Sequence, residues 1–237
     1  MPLATGTASN GTNRYGDYAA MSVDPADNCT FWFTGMYNPV NTTANRWRTR
    51  VGAFKFDSCP SAFPANTAVF TPALQVPSCA ATGRSCDSAA LLVGRDTISG
   101  GPEPNQPNTL QGSCNDGAAG TFHVRESIDR IKVGTLNGSQ MSPGSVVRAD
   151  VTVWGYGPTA IGDTLDLFSA ADATNPAWTY IGSQGTHRDG LQTLSMTYTL
   201  PAGTLQAVRA RFRYLGAPAP CGNGRMDDHD DLAFAVQ

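Results

Sequence analysis

From residue 145 to residue 214 the chain repeatedly alternates apolar and polar residues, and this period of two constrains its fold more than any other feature. Val147, Ala149, Val151 and Val153 share one side of a run whose other side carries Arg148, Asp150 and Thr152. Leu194, Met196, Tyr198 and Leu200 alternate with Ser195, Thr197 and Thr199. Val208, Ala210, Phe212 and Tyr214 alternate with Arg209, Arg211 and Arg213. Successive strand side chains point to opposite faces, so each run offers one face to a core and one to water, as an antiparallel sheet requires. Shorter strand-like runs stand at 89–93, 121–125, 128–133, 165–167, 178–181 and 232–236. Eight or nine strands with turns between them predict a β-sandwich over residues 85–237.

The charged residues agree. Only Glu103 and Glu126 are Glu among 19 acids, and only Lys55 and Lys132 are Lys among 16 bases. Glu and Lys favour exposed helix faces, whereas Asp favours turns and caps, so the composition is that of an all-β chain. A net charge of −3 lacks the basic excess expected of a nucleic-acid binder. No apolar run is long enough to span a bilayer as a helix.

Towards the start, runs at 18–23, 29–37 and 47–56 predict a three-stranded meander, with an Asp24-Pro25-Ala26-Asp27 turn between the first two. So small a sheet buries no core alone. Pro60, Pro64, Pro72 and Pro77 then mark a semi-extended linker or covering strand. The expected organisation is a polar arm and meander over 1–60, a linker over 61–84 and the sandwich over 85–237.

Cys29, Cys59, Cys79, Cys86, Cys114 and Cys221 form no CxxC pair, which disfavours zinc and thioredoxin chemistry. They read as disulfides of an oxidising, extracellular compartment. Six cysteines allow 15 pairings; the preferred one is local, Cys29–Cys59, Cys79–Cys86 and Cys114–Cys221. Residues 1–4 lack the charged and apolar regions of an export signal, so the chain is expected to be a piece of a longer precursor.

Cys86-Asp-Ser-Ala-Ala-Leu-Leu-Val-Gly-Arg95, Glu126-Ser-Ile-Asp-Arg-Ile-Lys-Val133 and Asp227-Asp-His-Asp-Asp-Leu-Ala-Phe-Ala-Val236 together resemble the accessory C-terminal domain behind catalytic domains of secreted bacterial proteases and hydrolases. A more distant likeness is to galactose-binding-type jelly rolls and the pro-protein-convertase P-domain, carried by Trp178-Thr-Tyr-Ile-Gly182 and the runs that follow it. Arg14-Tyr-Gly-Asp-Tyr-Ala-Ala-Met-Ser-Val-Asp-Pro25, with Thr30-Phe-Trp-Phe-Thr34, resembles the last blade of a secreted bacterial β-propeller. These likenesses imply a jelly-roll-like antiparallel sandwich plus a propeller-blade-like meander. They also imply a parent catalytic domain or missing blades as partners.

Asp227, Asp228, Asp230 and Asp231 are the densest charge in the chain. Carboxylates so crowded repel unless a cation sits among them, and hard oxygen ligands suit Ca²⁺. Related jelly rolls hold structural Ca²⁺ with an Asp leading into the last strand, which the resemblance places at Asp231. The expected ligand set is Asp87, Asp116, Asp228, Asp230 and Asp231; the bland alternative is a solvated acidic turn. Trp154, Tyr156 and Trp178 are the candidate ligand-binding aromatics, on a loop where Gly155 and Gly157 interrupt the strand and on the next strand-like run; core packing is the competing role. The Arg209, Arg211, Arg213 stripe reads as a solvated sheet face paired with neighbouring Asp.

Neither HExxH nor GxSxG is present, and Glu126 beside Asp129 reads as a strand edge. No catalytic residue is assigned. The leading functional reading is a non-catalytic extracellular module that binds a surface polymer, a carbohydrate or a protein partner, or stabilises a parent enzyme. Two others stand beside it: a secreted hydrolase with a site between the two regions, and a homo-oligomer built by edge pairing of the orphan blade.

Overall fold

The computed structural model describes residues 19–25, 29–37, 48–56, 63–156 and 162–237. The chain divides into two compact units between Ala62 and Phe63. In the first, β1 (Ala20–Val23), β2 (Thr30–Tyr37) and β3 (Arg48–Lys55) form an antiparallel meander. Phe31 stacks on Phe54 at 5.3 Å and meets Phe56 edge-on at 5.7 Å. Cys59 lies outside the described residues, and with it the expected Cys29–Cys59 pair.

The second unit is a β-sandwich. Its strands are β4 (Ala65–Thr67), β5 (Val69–Thr71), β6 (Val76–Cys79), β7 (Ser85–Asp87), β8 (Ser127–Thr135), β9 (Val146–Gly155), β10 (Asp163–Ala170), β11 (Thr179–Gly185), β12 (Gly190–Thr199), β13 (Leu205–Tyr214) and β14 (Asp228–Ala235). One sheet runs β11-β10-β13-β14-β6-β5 and the other β12-β9-β8-β7-β4. The chain changes sheet at β9–β10, β11–β12 and β12–β13, the exchange that gives a jelly-roll-like path. Ile131, Val133, Val147, Ala149, Val151, Val153 and Leu194 from one sheet meet Leu165, Leu167, Val208, Ala210, Phe212, Leu232 and Phe234 from the other. The alternating runs of the sequence supply this core, at about 25 cal/mol per Å² of apolar surface removed from water.

Four expectations change. The stretch expected as a linker contributes β4, β5 and β6, and buries Val76 and Cys79. The sheets are not purely antiparallel, because β6 pairs parallel with β14 and β4 parallel with β7. Residues 89–92 and 123–124 form turns in place of strands. The acidic run is not a turn: residues 228–231 lie inside β14.

Two disulfides form as expected. Cys79–Cys86, Cα atoms 5.8 Å apart, ties β6 of one sheet to β7 of the other through the core. Cys114–Cys221, 5.6 Å apart, joins two loops separated by 107 residues. In the loop-entropy model such a closure removes ~4–5 kcal/mol of unfolded-state freedom. Among the described residues no helix is long and apolar enough to cross a membrane.

Candidate functional site

β13 and β14 are the middle strands of their sheet and are covered on both faces. Residues pointing inward from β13 are Val208, Ala210 and Phe212; outward come Arg209, Arg211 and Arg213. The arginines are not the solvated stripe the pattern suggests, since each is under a tenth exposed. Burial of a charge demands a partner, and each guanidinium has one. Arg209 Nε and Nη2 both donate to Asp231 at 2.7 Å, Arg211 donates to Asp227 at 2.7 and 3.0 Å, and Arg213 donates to Asp166 at 2.6 and 3.0 Å. Their remaining donors reach backbone carbonyls of the covering loop, among them Ala217, Leu215 and Pro220, and, for Arg209, Ser113 Oγ and the Cys114 sulfur. Arg209 also lies over the Trp178 ring at 4.4 Å.

The other carboxylates of β14 have no such cation. Asp228 and Asp230 fall on the same face as Leu232 and Phe234, opposite Phe212 and Ala210, and so point between the sheets. Both are fully buried. Glu103 arrives from the loop after β7, and its carboxylate lies with those of Asp228 and Asp230 inside 4.8 Å. Asp116 leans on Glu103 from the next loop. Asp228 Oδ2 accepts from Ile128 N at 2.5 Å, and Asp116 Oδ1 from His229 N at 2.8 Å. Asn108 donates its Nδ2 to Glu103 Oε1. Beyond these, Glu103 Oε2, Asp116 Oδ2, Asp228 Oδ1, both oxygens of Asp230 and Asn108 Oδ1 are buried without a donor. Arg95, the buried cation whose field reaches Asp228, turns its two Nη atoms to the carbonyls of Gly117, Ala119 and Arg225, while its Nε is buried without a partner.

Burial and mutual repulsion push these groups towards their neutral forms. The Glu103 carboxyl is pushed up to about 8 by desolvation, with Asp116 adding repulsion. Asp228 and Asp230 rise well above the usual carboxylate range for the same two reasons. Carboxylates arranged this way either retain protons or enclose a cation.

Gly94 lets the loop close over this site. Its φ of +135° favours glycine, and a Cβ there would lie 2.6 Å from the Glu103 backbone.

Of the expected metal ligands, the fold brings together Asp116, Asp228 and Asp230. Asp231 points to the opposite face of β14 and is saturated by Arg209 and by Leu110 N at 2.7 Å. Asp87 sits at the outer surface of the five-stranded sheet, gripped by Arg130. Sequence reasoning missed Glu103 and Asn108. Both belong to a Gly/Pro/Asn-rich loop more than a hundred residues from β14, and only Glu103 being one of two Glu hinted at a special place.

The aromatic candidates separate. Trp178, partly buried, packs beside Val76, Leu110, Ala173 and Ala207, with the Arg209 guanidinium over its ring. Tyr156 is exposed, with the Arg125 guanidinium 3.9 Å over its ring. Trp154 stacks on His123 at 4.3 Å, and His123 on Phe122 at 3.7 Å. Trp154 also stands on the outward row of β9 with Thr152, Asp150 and Arg148. Beside that row, Arg130 and Lys132 of β8 and Thr193 and Ser195 of β12 border a hollow of about 380 Å³. Arg148 Nε binds Asp150 at 2.7 Å, and Ser195 Oγ donates to Asp150 at 2.6 Å.

Glu126 is not a strand-edge group either. It is buried against Asp163, whose carboxyl is raised to about 7 by desolvation and by Glu126, partly offset by the Tyr156 N–H at 2.7 Å. The histidines are engaged elsewhere: His123 Nε2 meets Asp129 at 2.8 Å, and His229 Nε2 accepts from Gly222 N at 3.1 Å. Ser127 Oγ also donates to Asp129, so the carboxylate stands between hydroxyl and imidazole, the reverse of the order a serine nucleophile needs.

Comparison with models of known protein families and with curated proteins gives no match for this chain.

Proposed function

We propose that the protein is a non-catalytic extracellular module that holds an acidic carbohydrate polymer along the outer face of its five-stranded sheet. The observation that carries this reading is the hollow between β8, β9 and β12. Arg130, Lys132 and Arg148 stand there beside the hydroxyls of Thr152, Thr193 and Ser195. The Arg130 and Arg148 side chains are about half exposed, although each rests on an aspartate. A guanidinium so placed can exchange its aspartate contact for a polymer carboxylate, and planar two-point pairing favours that group. Hydroxyls answer the sugar ring, and Trp154 at the end of the same row supplies an apolar edge.

The setting is consistent. Disulfides persist in oxidising compartments, which supports secretion. The likeness of residues 85–237 to accessory domains behind secreted hydrolases supports a role beside an enzyme. A hollow lined by paired charges and hydroxyls suits holding a polymer.

Affinity electrophoresis through gels containing a uronic-acid polymer or its neutral counterpart tests the reading. The protein is expected to be retarded by the acidic polymer alone, less so at high salt, and Arg148→Ala with Lys132→Ala should abolish retardation without changing the melting temperature. Equal mobility in all gels, or turnover of the polymer lost in a single Asp→Asn variant, would overturn it.

A further inference from the structure

The strongest unexplained feature lies away from that face, at the end of the sandwich where β14 enters the core. The fold gives Asp166, Asp227 and Asp231 an arginine each, yet leaves Glu103, Asp116, Asp228 and Asp230 with none. Among the described residues, most buried side-chain oxygens lacking a donor gather in this one place. An acidic cluster alone would not distinguish a metal site from shared protons. Asn108 adds an independent sign, because its amide is fully buried, touches the cluster through Glu103, and keeps an Oδ1 with no donor. A proton held between two carboxylates would satisfy neither that amide oxygen nor the other orphaned carboxylate oxygens, whereas a single cation takes several oxygen ligands at once.

We propose that Glu103, Asn108, Asp116, Asp228 and Asp230 form a Ca²⁺ site that clamps the loops before and after residue 110 to β14. The chemistry selects the ion. Every donor is a hard oxygen, and Ca²⁺ takes six to eight oxygens at ~2.3–2.6 Å in adaptable geometry. Mg²⁺ keeps several waters and a strict octahedron, which a dry cluster of protein oxygens serves poorly. Zn²⁺ prefers nitrogen and sulfur; His229 Nδ1 is the nearby nitrogen without a partner, and it faces Asp116 Oδ1 at 3.5 Å. The ligands come from one stretch, residues 103–116, and from β14 more than a hundred residues later, so the ion joins them as a disulfide would. This site is independent of the sheet-face reading.

The test uses the full chain, first stripped with chelator and then titrated with CaCl₂, MgCl₂ or ZnCl₂ by calorimetry while melting is followed. One Ca²⁺ per chain is expected, with a rise in melting temperature that chelator reverses. Asp230→Asn and Glu103→Gln should lose Ca²⁺ binding while melting higher than the stripped wild type, because each replaces a buried acid that, without the ion, must either ionise unpaired or take up a proton. Asp150→Asn, on the outer sheet face, should leave binding intact. No heat and no melting shift with Ca²⁺ in the wild type would overturn the proposal. So would tighter binding of Mg²⁺ or Zn²⁺ than of Ca²⁺, or unchanged Ca²⁺ binding in Asp230→Asn.

Discussion

At the scale of single residues, the molecule treats its buried charges in two ways. Arg209 is nearly inaccessible, yet every donor has a partner: Asp231, Ser113, Pro220 O and the Cys114 sulfur. Removing one member of such a pair strands the other in low dielectric, typically at about 3–5 kcal/mol. Arg209→Met should therefore destabilise the protein by about that much in urea unfolding, whereas Arg148→Ala, whose guanidinium is half exposed to solvent, should change stability by under about 1 kcal/mol. Equal effects would mean that burial contributes nothing to the difference. The same alternation that made Arg209, Arg211 and Arg213 visible as a stripe could not say which face was covered. A row of charge reads as solvent-facing until the loops carrying Ser113, Ala217 and Pro220 are seen lying over it.

Among the elements, β9, β12 and β13 were legible because one residue in two meets the core and the pattern is local. β14 was misread in its first half. Its inner positions begin with Asp228 and Asp230 before Leu232 and Phe234 resume the apolar row, so the strand looks like a turn followed by a shorter strand. β4, β5 and β6 were hidden for a different reason: each has three or four residues, one includes Pro77, and β6 finds its partner β14 at the far end of the chain. The loop bearing Glu103 has no periodic signal at all. The start of β10 carries its own consequence. Asp163 holds a proton to about pH 7 in the fold but releases it near 4 when unfolded. Between those values the native state binds more protons than the unfolded one, so stability falls as pH rises from about 4 to about 7. Urea midpoints across that range should decline in the wild type, and the decline should flatten in Asp163→Asn. A parallel slope in the variant would locate the linkage elsewhere.

On the scale of the whole molecule, the division at residue 62 separates a meander whose described residues form no buried core from a sandwich that has one. Residues 63–237 are therefore expected to fold alone and to melt within a few degrees of the sandwich transition in the full chain. Loss of cooperative melting in the shorter piece would show that the meander is part of the sandwich's support. The sequence pattern located the sandwich and its core face well, because burial imposes periodicity. It ended the meander at residue 60, close to the division after residue 62, but began the sandwich at 85, because the short strands β4, β5 and β6 impose almost no period.

The position of β14 has one more implication. It comes last of the fourteen strands among the described residues, yet it lies between β13 and β6 in the interior of its sheet. Until it docks, β13 and β6 present raw hydrogen-bonding edges to whatever is near, and the early and late portions of the sheet have no common neighbour. Assembly is thus obliged to finish at its centre, a keystone order that leaves the nascent domain vulnerable to clumping until residues 228–235 slide home.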